Sequence, residues 1–304
     1  MSEAVGRVLR SQSGYVFVDT GEGAPLRCTL RGRLKKGRKA RTDLVVIGDR
    51  VRVSRIAEGE GVIEAVEPRT NRFARRQPGP RGVYKEDVLV ANLDRIFAVF
   101  SASRPPMNPR VLDRFLVVAE LNGIPVSIVA NKIDEVSREE AERAFGPYAE
   151  LGYPVLYTSA KHGTGVDALR AELADRVSAF VGPSGVGKSS LLNAIAPGLS
   201  LAVGEISQTL DKGRHTTRVA ELHPVAGGWV ADTPGIREIA TFELPEAELA
   251  ACFPEMRRWL GECRFASCRH ESEPGCAVRD AVERGAIRPE RYDSYLRILR
   301  GEER

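Results

Sequence analysis

No stretch of this 304-residue chain approaches the ~20 consecutive apolar residues of a membrane-spanning helix. Met1-Ser2-Glu3-Ala4 does not begin a basic-then-apolar signal pattern. The cysteines, Cys28, Cys252, Cys263, Cys268 and Cys276, are five in number, and an odd count without a signal argues against a disulfide framework. Internal repeats and long low-complexity tracts are also missing, which excludes a solenoid or a mainly disordered chain. These absences lead to the expectation of a cytoplasmic protein, most simply a monomer. An apolar fraction of 42% suffices for packed cores, and the length fits two or three domains.

The charge is uneven. Residues 1–84 carry 18 Lys and Arg against 9 Asp and Glu, a net of +9, whereas the remainder carries 27 against 32, a net of −5. A basic first third suits a phosphate-rich partner; a merely solvated basic surface is the alternative. Residues 1–68 read as short strands, Gly6–Leu9, Tyr15–Asp19, Leu26–Leu30, Val45–Val46, Arg50–Ile56 and Gly61–Val66. Such strands suit a small barrel, most simply an OB-fold. Between two of them, Arg31 to Arg41 is dense in Arg and Lys and reads as a loop able to follow a nucleic-acid backbone.

Residues 69–86, rich in Arg, Pro and Gly, read as a linker or mobile loop. From 87 to 241 strands and helices alternate, the signature of a parallel sheet covered on both faces. The expected elements are strands at Val88–Ala91, Arg95–Ser101, Pro125–Ala130, Pro154–Tyr157 and Ala179–Val181, with helices at Pro109–Asn122, Ser137–Leu151 and Gly165–Leu173. Gly198–Thr217 reads as a mobile loop, and Arg218–His223 with Trp229–Ala231 as a hairpin. Residues 242–304 are polar and mainly helical, with helices expected at Ala277–Arg284 and Pro289–Arg300.

The chemistry lies in a set of motifs. Gly182-Pro183-Ser184-Gly185-Val186-Gly187-Lys188-Ser189 follows an apolar strand and opens a helix at Ser190. That is the setting in which a P-loop wraps backbone N–H groups around a β-phosphate. Lys188 can bridge β- and γ-phosphates and Ser189 can ligate Mg²⁺. A glycine-rich structural turn is the plainer alternative. Asp232-Thr233-Pro234-Gly235 follows a short strand, placing Asp232 to reach Mg²⁺ through water and the Gly235 N–H to meet the γ-phosphate. In Gly213-Arg214-His215-Thr216-Thr217 one threonine is a candidate Mg²⁺ ligand, with Thr216 preferred, unless this is an ordinary polar loop.

Asn131-Lys132-Ile133-Asp134 ends a strand. A carboxylate there can accept both N1–H and the 2-amino group of guanine, which adenine cannot offer as a pair. Asp134 is therefore the base selector, Asn131 a brace and base contact, and the Lys132 stem a cover for the ring. Ser159-Ala160-Lys161, after the next strand, suits a backbone contact to guanine O6. The residue after Gly235 is Ile236, where many G domains place a glutamine that orients water. Intrinsic hydrolysis should be slow, and His215 is the candidate to position water, with an ordinary loop histidine as the alternative. Cys263-x4-Cys268-x-His270-x5-Cys276 offers three thiolates and an imidazole, the ligand set of a closed structural Zn²⁺ site.

These motifs run in the order base loops, P-loop, Asp232 loop, whereas ordinary small G domains begin with the P-loop. The barrel, the permuted motifs and the Cys-His tail together resemble the ribosome small subunit-dependent GTPase A family over essentially the whole chain. The resemblance implies an N-terminal OB-fold, a central α/β circularly permuted P-loop GTPase domain and a C-terminal mainly helical zinc-binding domain. It implies a GTP hydrolase that binds the 30S ribosomal subunit and its 16S rRNA, assists late maturation and is stimulated by the subunit. An RNA-binding GTP/GDP switch whose release needs no hydrolysis is the rival. An RNA-remodelling enzyme ranks lower, because no tandem helicase lobes are present.

Overall fold

The computed structural model describes residues 3–35, 44–78, 84–197, 220–232 and 245–302. The first five strands are β1 (Glu3–Gln12), β2 (Tyr15–Asp19), β3 (Leu26–Leu30), β4 (Arg50–Ala57) and β5 (Glu60–Val66). They hydrogen-bond in the order β1-β2-β3-β5-β4, and β4 returns to β1, so the barrel closes and hides its edges. Alternate residues Val16, Val18, Leu26, Cys28, Val51, Val53 and Ile63 fill it, as the two-residue period of a strand requires. Cys28 is thus a small buried strand residue. A short helix α1 (Gly32–Lys35) begins the basic segment; residues 36–43 lie outside the described residues.

Val45–Val46, expected as a strand, is instead irregular, a bend at Val45 leading into a turn at Ile47–Gly48. The N–H of Val46 donates to Asp49 Oδ2 at 2.8 Å, and Asp49, fully buried, accepts Nε and Nη2 of Arg69 at 2.7 and 2.9 Å. Val46 and Ile47 are buried in cores shared with the next domain, so tertiary burial overrides their strand propensity.

The stretch read as a linker, 69–86, also differs. Strand β6 (Arg72–Pro78) pairs antiparallel with β7 (Tyr84–Ala91), and Phe73, opposite Val90, is fully buried. Composition suggested a loop because Arg, Pro and Gly dominate the stretch, whereas Phe73 is held by a core drawn from remote segments.

The central domain follows the expected alternation. Strand β8 (Arg95–Ser101) is followed by α2 (Pro109–Leu121), β9 (Val126–Asn131), α3 (Arg138–Glu150) and β10 (Val155–Thr158). Then come α4 (Val166–Leu173), β11 (Val177–Val181), α5 (Lys188–Ile195) and the hairpin β12 (Glu221–Val225) and β13 (Gly228–Asp232). The order is β10-β9-β8-β11-β13-β12, parallel except for the β12–β13 hairpin. Strand β8 shows why both faces are covered: Ile96, Ala98 and Phe100 join one core with α2 and α3, while Phe97 and Val99 join another with α4 and α5. Strand β1 of the barrel also pairs with β12 at Arg10 and Glu221, so one sheet runs from barrel to central domain. No helix among the described residues is long and apolar enough to cross a membrane.

The C-terminal region contains α6 (Glu246–Leu249), α7 (Ala277–Glu283) and α8 (Pro289–Arg300). Its core, including Cys252, Phe253, Met256 and Tyr295, takes in Val117 from α2. At this junction the buried guanidinium of Arg291 donates to Asp113 Oδ1 of α2 at 2.5 Å and to Glu255 Oε1 at 2.7 Å. Tyr148 of α3 donates its hydroxyl to the same Asp113 oxygen at 2.9 Å. Burial opposes the charge on Arg291, but Asp113 and Glu255 outweigh it and raise its pKa. Arg257–Glu120 and Arg288–Glu150 pairs lie at the exposed rim, where such pairs add little.

Arg291→Ala would leave two buried carboxylates without their counter-ion. Urea unfolding of the full chain should show a loss of about 3–5 kcal/mol; a loss below ~1 kcal/mol would mean that the network does not hold the C-terminal region in place.

Candidate nucleotide and metal sites

A parallel sheet delivers the loops that follow its strands to one edge, and every described nucleotide motif lies there. Strand β11, buried throughout, runs into Gly182, and α5 starts at Lys188. Between them the chain needs glycine twice for lack of room. A Cβ on Gly182 (φ 135°) would sit 2.1 Å from the Val99 carbonyl oxygen, and one on Gly187 (φ 97°) would sit 2.4 Å from Asn131 Nδ2. Lys188 Nζ donates to the carbonyls of Gly182 and Pro183 at 2.7 and 2.6 Å, which places its charge over the loop. Ser189 is buried in the first turn of α5, followed by Ser190. Asp232 ends β13; since Ala231 is level with Ala179 of β11, Asp232 stands on the same edge just short of Gly182.

Asn131, buried at the end of β9, joins three segments. Its Nδ2 donates to the Val186 carbonyl at 2.9 Å, and its Oδ1 accepts from Thr158 Oγ1 and Ala160 N, both at 3.2 Å. Lys132 takes a left-handed backbone (φ 63°) that aims its ammonium at the carbonyls of Gly185, 2.8 Å away, and Arg104, 2.5 Å away. Asp134 follows in a 3₁₀ turn. A hydrogen bond from the Ser159 side chain holds its carboxyl below the usual carboxylate range, so it stays ionised at neutral pH. Ser159, Ala160 and Lys161 leave the end of β10 beside it. The P-loop, Asn131–Asp134, Ser159–Lys161 and Asp232 therefore stand on one edge. His215, Thr216, Thr217 and Gly235 fall in 198–219 and 233–244, outside the described residues.

Sequence reasoning missed two participants. The Arg104 carbonyl belongs to the loop after β8, whose Ser103 hydroxyl also bonds Glu135; the available signal was its position at the carboxyl end of a central strand. His162 directly follows Lys161, and its Nε2 lies 3.6 Å from Asp134 Oδ2.

Cys263, Cys268, His270 and Cys276 form a second centre, with all four ligand atoms within 4.8 Å of one another. Cys263 Sγ is 3.5 Å from His270 Nδ1 and 4.0 Å from Cys276 Sγ, and His270 Nδ1 is 3.4 Å from Cys276 Sγ. A tetrahedral ion with Zn–N and Zn–S bonds of ~2.0–2.3 Å needs edges of about 3.4–3.8 Å, so the donor set fits. Burial pushes the Cys268 thiol up to about 12, and a divalent cation is what makes a thiolate favourable there. Burial also lowers the His270 pKa, favouring the neutral, ligating imidazole. Helix α8 braces the loop from behind: Tyr292 and Tyr295 donate their hydroxyls to the carbonyls of His270 and Arg269, each at 2.6 Å.

Comparison with known proteins agrees with this architecture. The RsgA GTPase family matches residues 66–242, and the RsgA N-terminal domain matches residues 5–63. The small ribosomal subunit biogenesis GTPase RsgA of Gemmatimonas aurantiaca is 47% identical over 98% of this chain and 97% of its own length. That of Moorella thermoacetica is 44% identical over 97% and 96%. Among solved structures, YjeQ from Thermotoga maritima superposes with a TM-score of 0.80 at 34% identity, covering 99% of this chain and 98% of that one. YloQ, described as a circularly permuted GTPase, gives 0.76 at 31% identity, covering 99% and 95%. With a closed barrel, permuted motifs converging on one sheet edge and a Cys-His cluster behind them, the chain belongs to the RsgA GTPase family and is a GTPase.

Proposed function

We propose that this protein hydrolyses GTP on the 30S ribosomal subunit during its late maturation in the cytoplasm, acting as a monomer that contacts 16S rRNA. The subunit stimulates hydrolysis, and hydrolysis drives release. The observation that carries this reading is the convergence of P-loop, guanine loops and Asp232 on one edge in permuted order. Relatives covering nearly the whole chain, named for biogenesis of the small ribosomal subunit, support it.

In this reading the domains are a barrel at 1–68, a G domain at 87–241 and a zinc module at 242–304. The β6 strand in 69–86 belongs with the G domain, because Phe73 is packed in its core. Gly182–Ser190 hold the phosphates, Asn131, Lys132, Asp134 and Ser159–Lys161 hold guanine, and Gly235 meets the γ-phosphate. Ser189, Asp232 and Thr216 would hold Mg²⁺, which offsets charge on the β- and γ-phosphates when bound. Lys188 and Thr216 stabilise the transferred phosphoryl group, and His215 orients water in place of the absent glutamine. Cys263, Cys268, His270 and Cys276 hold a structural Zn²⁺.

Loss of the γ-phosphate would free Thr216 and Gly235 together. Two routes lead outward. In sequence, residues 236–242 connect Gly235 to the zinc module. Strand β12, which follows the Thr216 segment, hydrogen-bonds to β1 of the barrel.

GTP turnover measured with and without purified 30S subunits should differ by at least ~10-fold. Binding to 30S should be tighter with a non-hydrolysable GTP analogue than with GDP; equal rates and equal affinities would count against the reading. In single-turnover assays on 30S, His215→Ala should slow hydrolysis about 100-fold while GTP binding persists, and an unchanged rate would remove His215 from the mechanism. Elemental analysis should find about one zinc per chain. Cys268→Ser should lose it and unfold more readily in urea; a metal-free protein of undiminished stability would contradict the zinc assignment.

A further inference from the structure

The turn after β10 presents a side chain that the guanine motifs do not account for. Ser159 N donates to the Thr164 carbonyl at 2.9 Å, Gly163 N to the Ser159 carbonyl at 2.9 Å, and His162 N to Ser159 Oγ at 3.2 Å. These bonds pin the backbone of His162. The Ser159 side chain also bonds the Asp134 carboxylate, so one hydroxyl sets the spacing of both residues. The imidazole is 57% exposed and therefore open to proton exchange, with Nε2 3.6 Å from Asp134 Oδ2.

A carboxylate has about four lone-pair directions. Guanine needs two of them in a fork, for N1–H and the 2-amino group, and Ser159 takes a third. His162 faces what remains. A neutral imidazole there steadies the carboxylate without cancelling its charge. An imidazolium places a full positive charge against the oxygen that must accept from guanine, and competes for it.

We propose that His162 is a specificity-determining residue that makes guanine nucleotide affinity depend on pH, with tight binding when the ring is neutral and weaker binding when it is protonated. Imidazole is the side chain whose charge changes between pH 5 and 8. Asp134 is the charged group beside the ring, and the adjoining Lys161 acts on the same carboxylate. Lys132 turns its ammonium to carbonyls instead, and Glu135 is engaged by Ser103. Asp134 does not titrate in this window, because Ser159 holds its carboxyl below the ordinary range.

The inference rests on Asp134 being the guanine acceptor, and the test separates the two. Binding of N-methylanthraniloyl-GDP to the full chain would be measured from pH 7.5 to 5.5. Wild-type affinity should fall about three- to fivefold, the scale of an exposed charge pair. His162→Gln, neutral throughout, should show a clearly shallower fall, keeping only the part due to protonation of the nucleotide's own phosphate. His162→Lys, charged throughout, should bind weakly at every pH. Superposed wild-type and glutamine profiles would overturn the proposal, because the slope would then belong to other groups such as the terminal phosphate of the nucleotide. A lysine variant as tight as wild type at pH 7.5 would overturn it as well. Asp134→Asn should lose GDP and gain xanthosine diphosphate; if it keeps GDP, the base assignment itself fails.

Discussion

The nucleotide edge depends on the side-chain amide of Asn131. Its two ends satisfy a P-loop carbonyl and the start of the Ser159 turn, segments separated by 55 and 29 residues from it in sequence. An amide suits this task because it donates from one end and accepts at the other, so a single buried group ties a carbonyl to an N–H. A carboxylate would meet the Val186 carbonyl with like partial charge, and an aliphatic residue would leave both groups unpaired at a cost of about 1–3 kcal/mol each. Gly187 is small for the same reason, since any Cβ there would collide with the Asn131 amide.

This arrangement explains how the motifs can be reordered in the chain. The sheet requires only that each strand points its carboxyl end at the same edge. Neither the P-loop nor the base loops must come first, provided that Asn131 can reach across. What permutation does change is where the chain ends leave the domain. The barrel attaches through β1 on β12 and through the Asp49–Arg69 pair, and the C-terminal region attaches through Arg291 on α2. The first junction touches the hairpin that ends at Asp232; the second touches helices that lead from the base-reading side. The appended domains thus meet different halves of the G domain.

Helix α8 serves the C-terminal region in two ways. Arg291 anchors it to Asp113, while the adjacent Tyr292 and, one turn on, Tyr295 hold the carbonyls of His270 and Arg269. The ligand cluster and the domain junction therefore share one rigid element, and the T-shaped packing of Phe253 on Tyr295 fills the space between them.

Local pattern is enough to specify the five barrel strands, the strand–helix alternation, the P-loop, the Asn131–Asp134 and Ser159–Lys161 motifs and the Cys-His cluster. Each is written in short-range spacing: period-two alternation, a glycine-rich turn between strand and helix, four soft ligands within fourteen residues. Long-range packing, by contrast, moves Val46 and Ile47 from the barrel into a shared core and makes residues 72–78 a strand. It also brings His162 and the Arg104 carbonyl to the Asn131–Asp134 loop, and joins Asp113, Glu255 and Arg291 in one buried network. The physical reason is common to all of these: the groups that bury or pair them lie in remote segments (for β6, the core around Phe73), and neither burial nor ion pairing between remote segments leaves a mark on the local pattern.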